Sequence, residues 1–196
     1  MSDTTPSLIL ASRSPRRRQL LTAAGYRFEV VEPSESAEDE ARDGESPSKL
    51  VVRLAYQKAS DVVERMDLEE GEVEPRVVLG CDTVAECEGH VLGKPADEAD
   101  ARAMLQRLSG REHRVLSGLC LWPIPDGEPQ VHVAETTLRM DPLSEEQLNE
   151  YLASGGWQGK AGAFGYQDRL GWVHVTEGSE TNVVGLPMEL LEEMLG

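Results

Sequence analysis

Apolar residues are spaced along the chain in two ways, either in short runs or at every third and fourth position. The runs have the length of single strands, and the wider spacing is typical of helices with one buried face. Strands are predicted at residues 8–11, 26–31, 77–80, 113–122, 130–140 and 172–175. Residues 85–92 are predicted to form a hairpin that turns at Glu88 and Gly89.

Four of the predicted helices begin at a residue that can cap the first turn. A serine or aspartate there accepts a hydrogen bond from a first-turn N–H, and a following proline fits the first helical position. A serine followed three residues later by glutamine makes a capping box. The four starts are Ser14-Pro15, Ser46-Pro47, Asp97, and Ser144 with Gln147. A further helix is predicted over residues 187–195.

One lysine lies on the apolar side of the helix predicted after Ser46. Lys58 follows Leu54 by four residues and precedes Val62 by four, so all three share one face. A lysine at such a position either extends its ammonium to the rim of the core or points it into a site. The spacing leaves both alternatives open.

The net charge limits what the surface as a whole can bind. The chain has 19 basic and 36 acidic residues, which gives a formal charge of -17 with histidine neutral. Such a surface repels nucleic acid and anionic membranes. An anionic ligand must therefore be bound locally, by clustered Arg or Lys or together with a cation.

The composition indicates a globular protein of the cytoplasm. Hydrophobic residues make up 39% and charged residues 28% of the chain, which is ordinary for globular proteins. The three cysteines include no Cys-x-x-Cys pair, which argues against a disulfide framework or a zinc site. The apolar runs are far shorter than the roughly 20 residues of a membrane helix. The first seven residues lack the order of a signal peptide.

Four arginines are gathered where the first strand is followed by a helix, in residues 12–18, Ser-Arg-Ser-Pro-Arg-Arg-Arg. Cations at a helix N-terminus oppose the helix dipole, so this placement is unfavourable unless an anion is present. Backbone N–H groups, hydroxyls and guanidinium groups together suit a polyphosphate. The alternative is a solvated basic face that offsets the acidic surface.

A second candidate cluster combines a carboxylate with a lysine. Asp82 and Thr83 come directly after an apolar strand, and Lys94 follows the predicted hairpin. Because a hairpin brings its ends together, Asp82 and Lys94 are expected to lie near one point. One could bind a metal or orient water while the other neutralises phosphate charge. The alternative is an aspartate that caps a turn and an unrelated surface lysine.

A third candidate is the glycine-rich segment at residues 155–167, with five glycines and three aromatic residues. Glycines let the backbone approach a ligand closely. Phe164 or Tyr166 could pack on a nucleobase while Gln167 binds its edge by hydrogen bonds. Core packing is the alternative for either aromatic side chain.

Six segments, in this order, resemble motifs of the Maf family of nucleotide pyrophosphatases. They are residues 8–17 (Leu-Ile-Leu-Ala-Ser-x-Ser-Pro-Arg-Arg), 80–84 (Gly-x-Asp-Thr-Val), 92–95 (Leu-Gly-Lys-Pro), 108–111 (Leu-Ser-Gly-Arg), 160–167 (Lys-Ala-Gly-Ala-Phe-Gly-Tyr-Gln) and 184–187 (Val-Gly-Leu-Pro). The resemblance covers nearly the whole chain. It implies one α/β domain over residues 1–196, with a curved mixed β-sheet flanked by helices and two lobes with a cleft, as in inosine triphosphate pyrophosphatases.

The resemblance also implies an activity, the divalent-cation-dependent hydrolysis of a nucleoside triphosphate to the monophosphate and pyrophosphate. It implies that Asp82 is the proton acceptor and that Arg16, Thr83 and Gln167 help to select the base. A homodimer would be ordinary for this family. The full candidate set comprises Asp82, Lys94 and Lys58 as catalytic residues, and Ser12, Ser14, Arg16, Arg17, Thr83, Lys160 and Gln167 as substrate-binding residues.

A cation is expected because the triphosphate and the protein are both anionic. Mg²⁺ or Mn²⁺ could bridge phosphate oxygens and Asp82, together with an acidic residue of the loop after the second strand. Glu38 and Glu40 both fit this position, and the sequence does not choose between them. Whether Asp82 accepts a proton or only holds the metal is also open.

The segment at residues 160–167 bears on the substrate. Family members similar to dTTP/UTP pyrophosphatases carry Lys-Ala-Gly-Ala-Tyr-Gly-Ile-Gln there, whereas those acting on 7-methyl-GTP have a different run without that Gln. This chain keeps Lys160 and Gln167 but has Phe164 and Tyr166 in place of Tyr and Ile. The prediction is a dTTP/UTP pyrophosphatase. The alternatives are the same reaction on a modified or purine nucleotide such as 7-methyl-GTP, and a nucleotide-sensing regulator of cell division without turnover.

Overall fold

The computed structural model describes residues 7–39, 41–66 and 75–196. Within these ranges the strands are β1 (Ser7–Ala11), β2 (Phe28–Val30), β3 (Arg76–Cys87), β4 (His90–Leu92), β5 (Glu112–Ile124), β6 (Gln130–Met140) and β7 (Val173–Glu177). The α-helices of the same ranges are α1 (Pro15–Ala23), α2 (Pro47–Arg65), α3 (Glu98–Leu108), α4 (Glu145–Ala153), α5 (Glu180–Val184) and α6 (Met188–Leu195).

The described strands form one mixed seven-stranded sheet in the order β2-β1-β3-β5-β6-β7, with β4 paired to β3. Strand β1 is parallel to both β2 and β3, whereas β4 is antiparallel to β3 and β7 is antiparallel to β6. The expected mixed α/β architecture, a sheet flanked by helices, is confirmed.

The chain divides into two compact units. One comprises Met1–Asp82, Gly118–Val133 and Met188–Gly196, and the other comprises Thr83–Ser117 and Ala134–Pro187. Each has its own apolar core: in the first, β1 and β3 pack against α2 through residues such as Ile9, Val78 and Ala59. In the second, Leu105 and Leu152 are among the buried residues that pack with Phe164. A single domain over residues 1–196, with a cleft, stays a prediction.

The backbone of helix α2 lies directly against the neighbouring strands at two glycines of the first unit. A Cβ atom at Gly80 would lie 2.2 Å from the carbonyl oxygen of Ala55, and one at Gly118 would lie 2.1 Å from that of Val51. No side chain fits at such distances, so glycine allows β3 and β5 to approach the helix this closely. This contact sets the position of α2 above β3.

The helix starts were predicted well. Asp97 accepts from the N–H of Asp100, and Ser144 forms the full capping box with Gln147. Ser14 occupies the cap position of α1, but its side chain makes no capping hydrogen bond. None of the helices in the described ranges combines the length and apolar character that a bilayer-crossing helix requires.

Four segments differ from the prediction. Strand β3 does not end before Asp82 but continues to Cys87, because the buried residues Val84 and Ala85 extend the run. The acidic loop contains a short 3-10 turn at Glu35–Ala37, and the glycine-rich segment contains two, at Ala161–Ala163 and Tyr166–Asp168. The five-residue helix α5 was not predicted, since it is too short to show a helical apolar period.

Candidate active site

A buried ammonium group joins two carboxylates in the first unit. Lys58 Nζ lies 2.6 Å from Asp82 Oδ1 and 3.5 Å from Glu38 Oε1. Lys58 is only 4% exposed, and the side chains of Asp82 and Glu38 are 14% and 35% exposed. Lys58 therefore points into a cluster instead of extending to solvent, which resolves the alternative that spacing left open. Glu40 lies outside the described residues.

The positions of these three side chains follow from local structure. Lys58 stands one turn after Leu54 on the buried face of α2, and Asp82 stands two residues after Gly80 on β3. The close approach of helix and strand at Gly80 brings the two side chains within reach of each other. A buried ammonium group is tolerable only with an opposite charge beside it, and Asp82 supplies that charge.

Arg53 fastens the acidic loop to α2. Its Nε and Nη2 atoms donate to the two carboxylate oxygens of Glu45 at 2.8 and 2.7 Å, and Nη1 lies 3.6 Å from Asp39 Oδ2. Gln57 Nε2 also donates to Asp39 Oδ2, at 2.9 Å. Hydrogen bonding to Arg53 lowers the pKa of Glu45 from 4.5 to about 2. The loop that carries Glu38 is thus held at two residues that follow Glu38 in the chain, Asp39 and Glu45.

The ion pair with Glu45 also changes the pKa of Arg53. Hydrogen bonding to Glu45 raises the pKa of the guanidinium, and the charges of Asp39 and Asp82 add to this rise. Sequence reasoning missed Arg53 and Glu45. The available signal was an arginine near the start of the helix that follows an acidic loop, which is common on protein surfaces.

The serine and arginine motif forms a second group in the first unit. Ser12 is 2% exposed and Arg17 is 8% exposed. The Oγ atom of Ser12 accepts from Arg17 Nη1 at 3.2 Å and from the backbone N–H of Ser14 at 3.1 Å. Arg16 is half-buried at the first turn of α1, which contains no acidic residue. This turn therefore keeps the positive character that suits a phosphate.

In the second unit, Thr83 is held by two elements. Its Oγ1 atom lies 2.7 Å from Ser117 Oγ and donates to the carbonyl oxygen of Gly185 at 3.3 Å. Thr83 is on β3, Ser117 on β5, and Gly185 follows α5. The segment after α5 is thereby fixed beside Thr83.

The glycine-rich segment meets the end of the hairpin in the same unit. The backbone N–H of Gly162 donates to the carbonyl oxygen of Gly93 at 3.0 Å, directly before Lys94. Lys94 and Gln167 are both exposed. Lys160 Nζ lies 2.5 Å from Asp168 Oδ2. Asp82 and Lys94 belong to different units, and their expected proximity stays a prediction.

The two aromatic residues of this segment have different surroundings. Phe164 is 7% exposed, packs in the core of the second unit and meets the ring of His113 edge to face at 5.5 Å. For Phe164 the core-packing alternative is therefore the right one. The hydroxyl of Tyr166 donates to Glu180 Oε1 at 2.9 Å, and burial raises the pKa of the Tyr166 hydroxyl.

The donor set of the first unit suits a hard cation that is shared with substrate. Asp82 and Glu38 both approach the ammonium of Lys58, so two carboxylates converge where one positive charge already lies. Oxygen ligands of this kind are those that Mg²⁺ and Mn²⁺ prefer. In the described ranges, no group of three or more His, Cys, Asp or Glu residues could hold a metal alone. Phosphate oxygens and water would have to complete the coordination.

The chain is similar to one family along almost its full length. A sequence profile of Maf-like proteins matches residues 7–196. A "dTTP/UTP pyrophosphatase" of Rhodopirellula baltica is 52% identical over 96% of this chain and 81% of the relative. One of the same name from Symbiobacterium thermophilum is 43% identical over 96% of this chain and 92% of the relative.

Among solved structures, the Staphylococcus aureus Ham1 protein aligns with 68% of this chain and 71% of its own chain, at 15% identity and a TM-score of 0.45. That likeness is too weak to support an argument about this chain. The family profile and the two sequence relatives are sufficient by themselves: this chain belongs to the Maf-like protein family.

Proposed function

We propose that this protein hydrolyses dTTP and UTP to the nucleoside monophosphate and pyrophosphate. The structural observation that carries the proposal is the buried cluster of Lys58, Asp82 and Glu38, because it combines an ammonium with two convergent carboxylates. The names of the relatives, at up to 52% identity, support the substrate class.

Asp82 and Glu38 would hold a Mg²⁺ or Mn²⁺ ion together with phosphate oxygens. The bound ion would supply positive charge that draws the triphosphate to an acidic protein and polarises the scissile P–O bond. Lys58 keeps the carboxylate of Asp82 in place through its 2.6 Å contact. If the carboxylate of Asp82 moved away from this position, both its ion pair with Lys58 and its bond to the cation would be lost.

The chain's other cations neutralise the phosphates. Arg16 and Arg17 lie at the first turn of α1, and Ser12 with Ser14 orients that turn. Lys94 adds a charge for the departing pyrophosphate, because phosphoryl transfer depends mainly on positioning and electrostatics. Water attacks the α-phosphorus. Asp82 either accepts the proton of that water or serves only as a ligand, and the pH dependence of kcat distinguishes these roles.

Arg16, Thr83 and Gln167 are proposed to select the base. Thr83 is fixed by Ser117 and Gly185, and Gln167 presents an exposed amide. An amide can both donate to and accept from the edge of a pyrimidine. The cytoplasmic location, the homodimer and the lack of affinity for nucleic acid remain predictions from the sequence.

The two alternatives are less well supported. Hydrolysis of 7-methyl-GTP or another purine nucleotide disagrees with the substrates in the relatives' names. A regulator that senses nucleotides without turnover would not need the buried cluster of Lys58, Asp82 and Glu38.

The experiment is a product analysis with dTTP, UTP, CTP, 7-methyl-GTP and GTP, each with Mg²⁺ or Mn²⁺. The proposal expects pyrophosphate from dTTP and UTP, and at least about a hundredfold less of it per unit time from an Asp82→Asn variant prepared in the same way. A preference for 7-methyl-GTP or GTP would contradict the substrate class. Intact nucleotide that stays bound after long incubation would favour the sensing role.

A further inference from the structure

We infer that Asp168 and Tyr151 are positioning residues that hold Lys160 inside its own loop and thereby fix Gln167. In this arrangement Lys160 clamps the loop formed by residues 160–168 and does not bind phosphate. The inference rests on the proposed function, since it assigns Gln167 to base selection. It changes the role expected for Lys160 and adds two residues that the sequence did not indicate.

The ion pair of Lys160 and Asp168 closes the loop from one end to the other. Lys160 Nζ lies 2.5 Å from Asp168 Oδ2, and the two side chains are 12% and 27% exposed. A pair that is this shielded keeps a defined geometry, unlike an ordinary surface ion pair. A phosphate oxygen that approached the ammonium would have to compete with the carboxylate of Asp168.

Tyr151 ties the closed loop to helix α4. Tyr151 is 5% exposed, and its hydroxyl donates to Asp168 Oδ2 at 3.3 Å. The same hydroxyl accepts the backbone N–H of Gly165 at 3.2 Å. One buried hydroxyl thus fixes both the carboxylate and the backbone of the loop.

Gly165 leaves the space in which the ion pair forms. A Cβ atom there would lie 2.3 Å from Lys160 Nζ and 2.5 Å from Asp168 Oδ2. The backbone of Gly165 is extended, with φ of -116°, so glycine is needed for space and not for conformation. This supports the view that the loop is built around the contact between Lys160 and Asp168.

Gln167 takes its position from this clamp. It precedes Asp168 in a 3-10 turn in which the N–H of Asp168 donates to the carbonyl oxygen of Gly165 at 3.1 Å. The next residue, Arg169, is left-handed with φ of 50° and donates to the carbonyl oxygen of Tyr166 at 3.2 Å. Gln167 therefore lies between two fixed backbone positions, and loosening Asp168 should loosen its amide.

The test is a double-mutant cycle with Lys160→Met, Asp168→Asn and the combined variant. The readouts are kcat/KM for UTP and the ratio of that value to the one for CTP. Each single change should lower kcat/KM for UTP by about tenfold or more and reduce the ratio, and the double variant should be no worse than either single one. Tyr151→Phe removes only the hydroxyl and should reduce the ratio in the same direction, so it serves if the charge variants fold poorly.

The alternative role of Lys160 gives a different pattern. If Lys160 binds phosphate, Lys160→Met raises KM for all nucleotides alike, whereas Asp168→Asn frees the ammonium and leaves or lowers KM. That result, or additive losses with an unchanged ratio, would overturn the inference. Arg102→Met is the matched control, because Arg102 forms an ion pair with the exposed Glu145 at 3.3 Å in the same unit and should change neither readout.

Failure of the proposed function is visible separately. It shows as absence of UTP and dTTP hydrolysis by the wild-type protein. In that case the double-mutant cycle is measured by binding instead of turnover, from the affinities of the same variants for UMP and GMP determined by calorimetry. Coupled losses of UMP preference still support the clamp, and additive or absent losses still overturn it.

Discussion

The ammonium of Lys58 lies 2.6 Å from the carboxylate of Asp82, between a helix and a strand that otherwise meet through apolar side chains. An ion pair in such a place gains little net stability, because both groups lose their hydration. An apolar pair could fill the same space. The pair is therefore better explained by the chemistry of Asp82 than by the stability of the fold.

This explanation predicts opposite behaviour for stability and activity. Asp82→Asn should lower the free energy of unfolding by about 3 kcal/mol, because it leaves a buried ammonium short of its main partner. Adding Lys58→Met should restore much of that loss, since both charges are then gone. Activity should fall by about a hundredfold or more in the single variant and stay low in the double one. Urea unfolding and initial rates with UTP measure the two effects.

The contrary outcome is also informative. If the double variant recovered activity along with stability, the two side chains would serve the fold alone. The proposed role of Asp82 would then be wrong.

The close packing of α2 on β3 gives a second prediction. Gly80→Ala should lower the unfolding free energy by about 1–3 kcal/mol or more, because its Cβ would lie 2.2 Å from the carbonyl oxygen of Ala55 and the backbone must shift. Gly93→Ala is the matched control, because no atom lies within 4 Å of the Cβ that this substitution would add. Thermal melts of both variants measure the loss of stability. If both variants melted at the same temperature, helix α2 would be able to shift without loss of stability, and the prediction would be wrong.

The third prediction concerns the acidic loop. Arg53→Met should raise the Mn²⁺ concentration for half-maximal activity by about tenfold, while kcat at saturating metal changes little, because the loop that carries Glu38 is no longer held by Glu45. Arg76→Met is the control, since Arg76 forms an ion pair with Glu29 of β2, which lies before the acidic loop. Titration of activity with Mn²⁺ gives the answer, and an equal effect of both variants would refute the specific role of Arg53.

The Glu45 carboxylate adds a pH dependence to this picture. Because its pKa is lowered from 4.5 to about 2, the ion pair stabilises the folded state fully above pH 4.5 and loses this contribution as the pH falls towards 2. Glu45→Gln should therefore lower the melting temperature at pH 6, and the difference from wild type should shrink at pH 3. A constant difference across this range would contradict the assigned pairing.

A buried histidine gives the fifth prediction. His113 is 2% exposed, and burial lowers its pKa from 6.5 to about 4, although a hydrogen bond to the backbone of Arg111 and the charge of Glu86 oppose this change. The unfolded chain then binds a proton that the folded one does not, so stability is full above pH 6.5 and falls as the pH drops towards 4. Each unit of difference between the two pKa values corresponds to about 1.4 kcal/mol, so the free energy of unfolding falls by about 3 kcal/mol.

His113→Leu removes this titration and keeps an apolar group against Phe164. Urea unfolding at pH 7 and pH 4.5 compares the two proteins, and the stability of the variant should depend less on pH than that of the wild type. Equal pH dependence would show that His113 is protonated in the folded state.

Local signals in the sequence predicted most of the secondary structure. The hairpin turn at Glu88 and Gly89 and the capping residues Asp97 and Ser144 are set by residues within a few positions of one another. Such patterns can be seen without knowledge of the fold. The continuation of β3 through Asp82 was missed because a polar residue within a long strand resembles a strand end.

The candidate site was predicted less evenly. Lys58 remained ambiguous because its role depends on Asp82, 24 residues away on another element. Asp168 escaped notice because only the folded loop brings it to Lys160 and Tyr151. Contacts of this kind depend on tertiary packing, which apolar spacing and short motifs do not encode.

The central claim, attack of water on the α-phosphorus of UTP, is tested most directly by hydrolysis in oxygen-18 water with mass analysis of both products. The account predicts that the label enters UMP and not pyrophosphate, and that Asp82→Asn slows its incorporation by about a hundredfold or more. Label in the pyrophosphate, or release of orthophosphate in place of pyrophosphate, would contradict it.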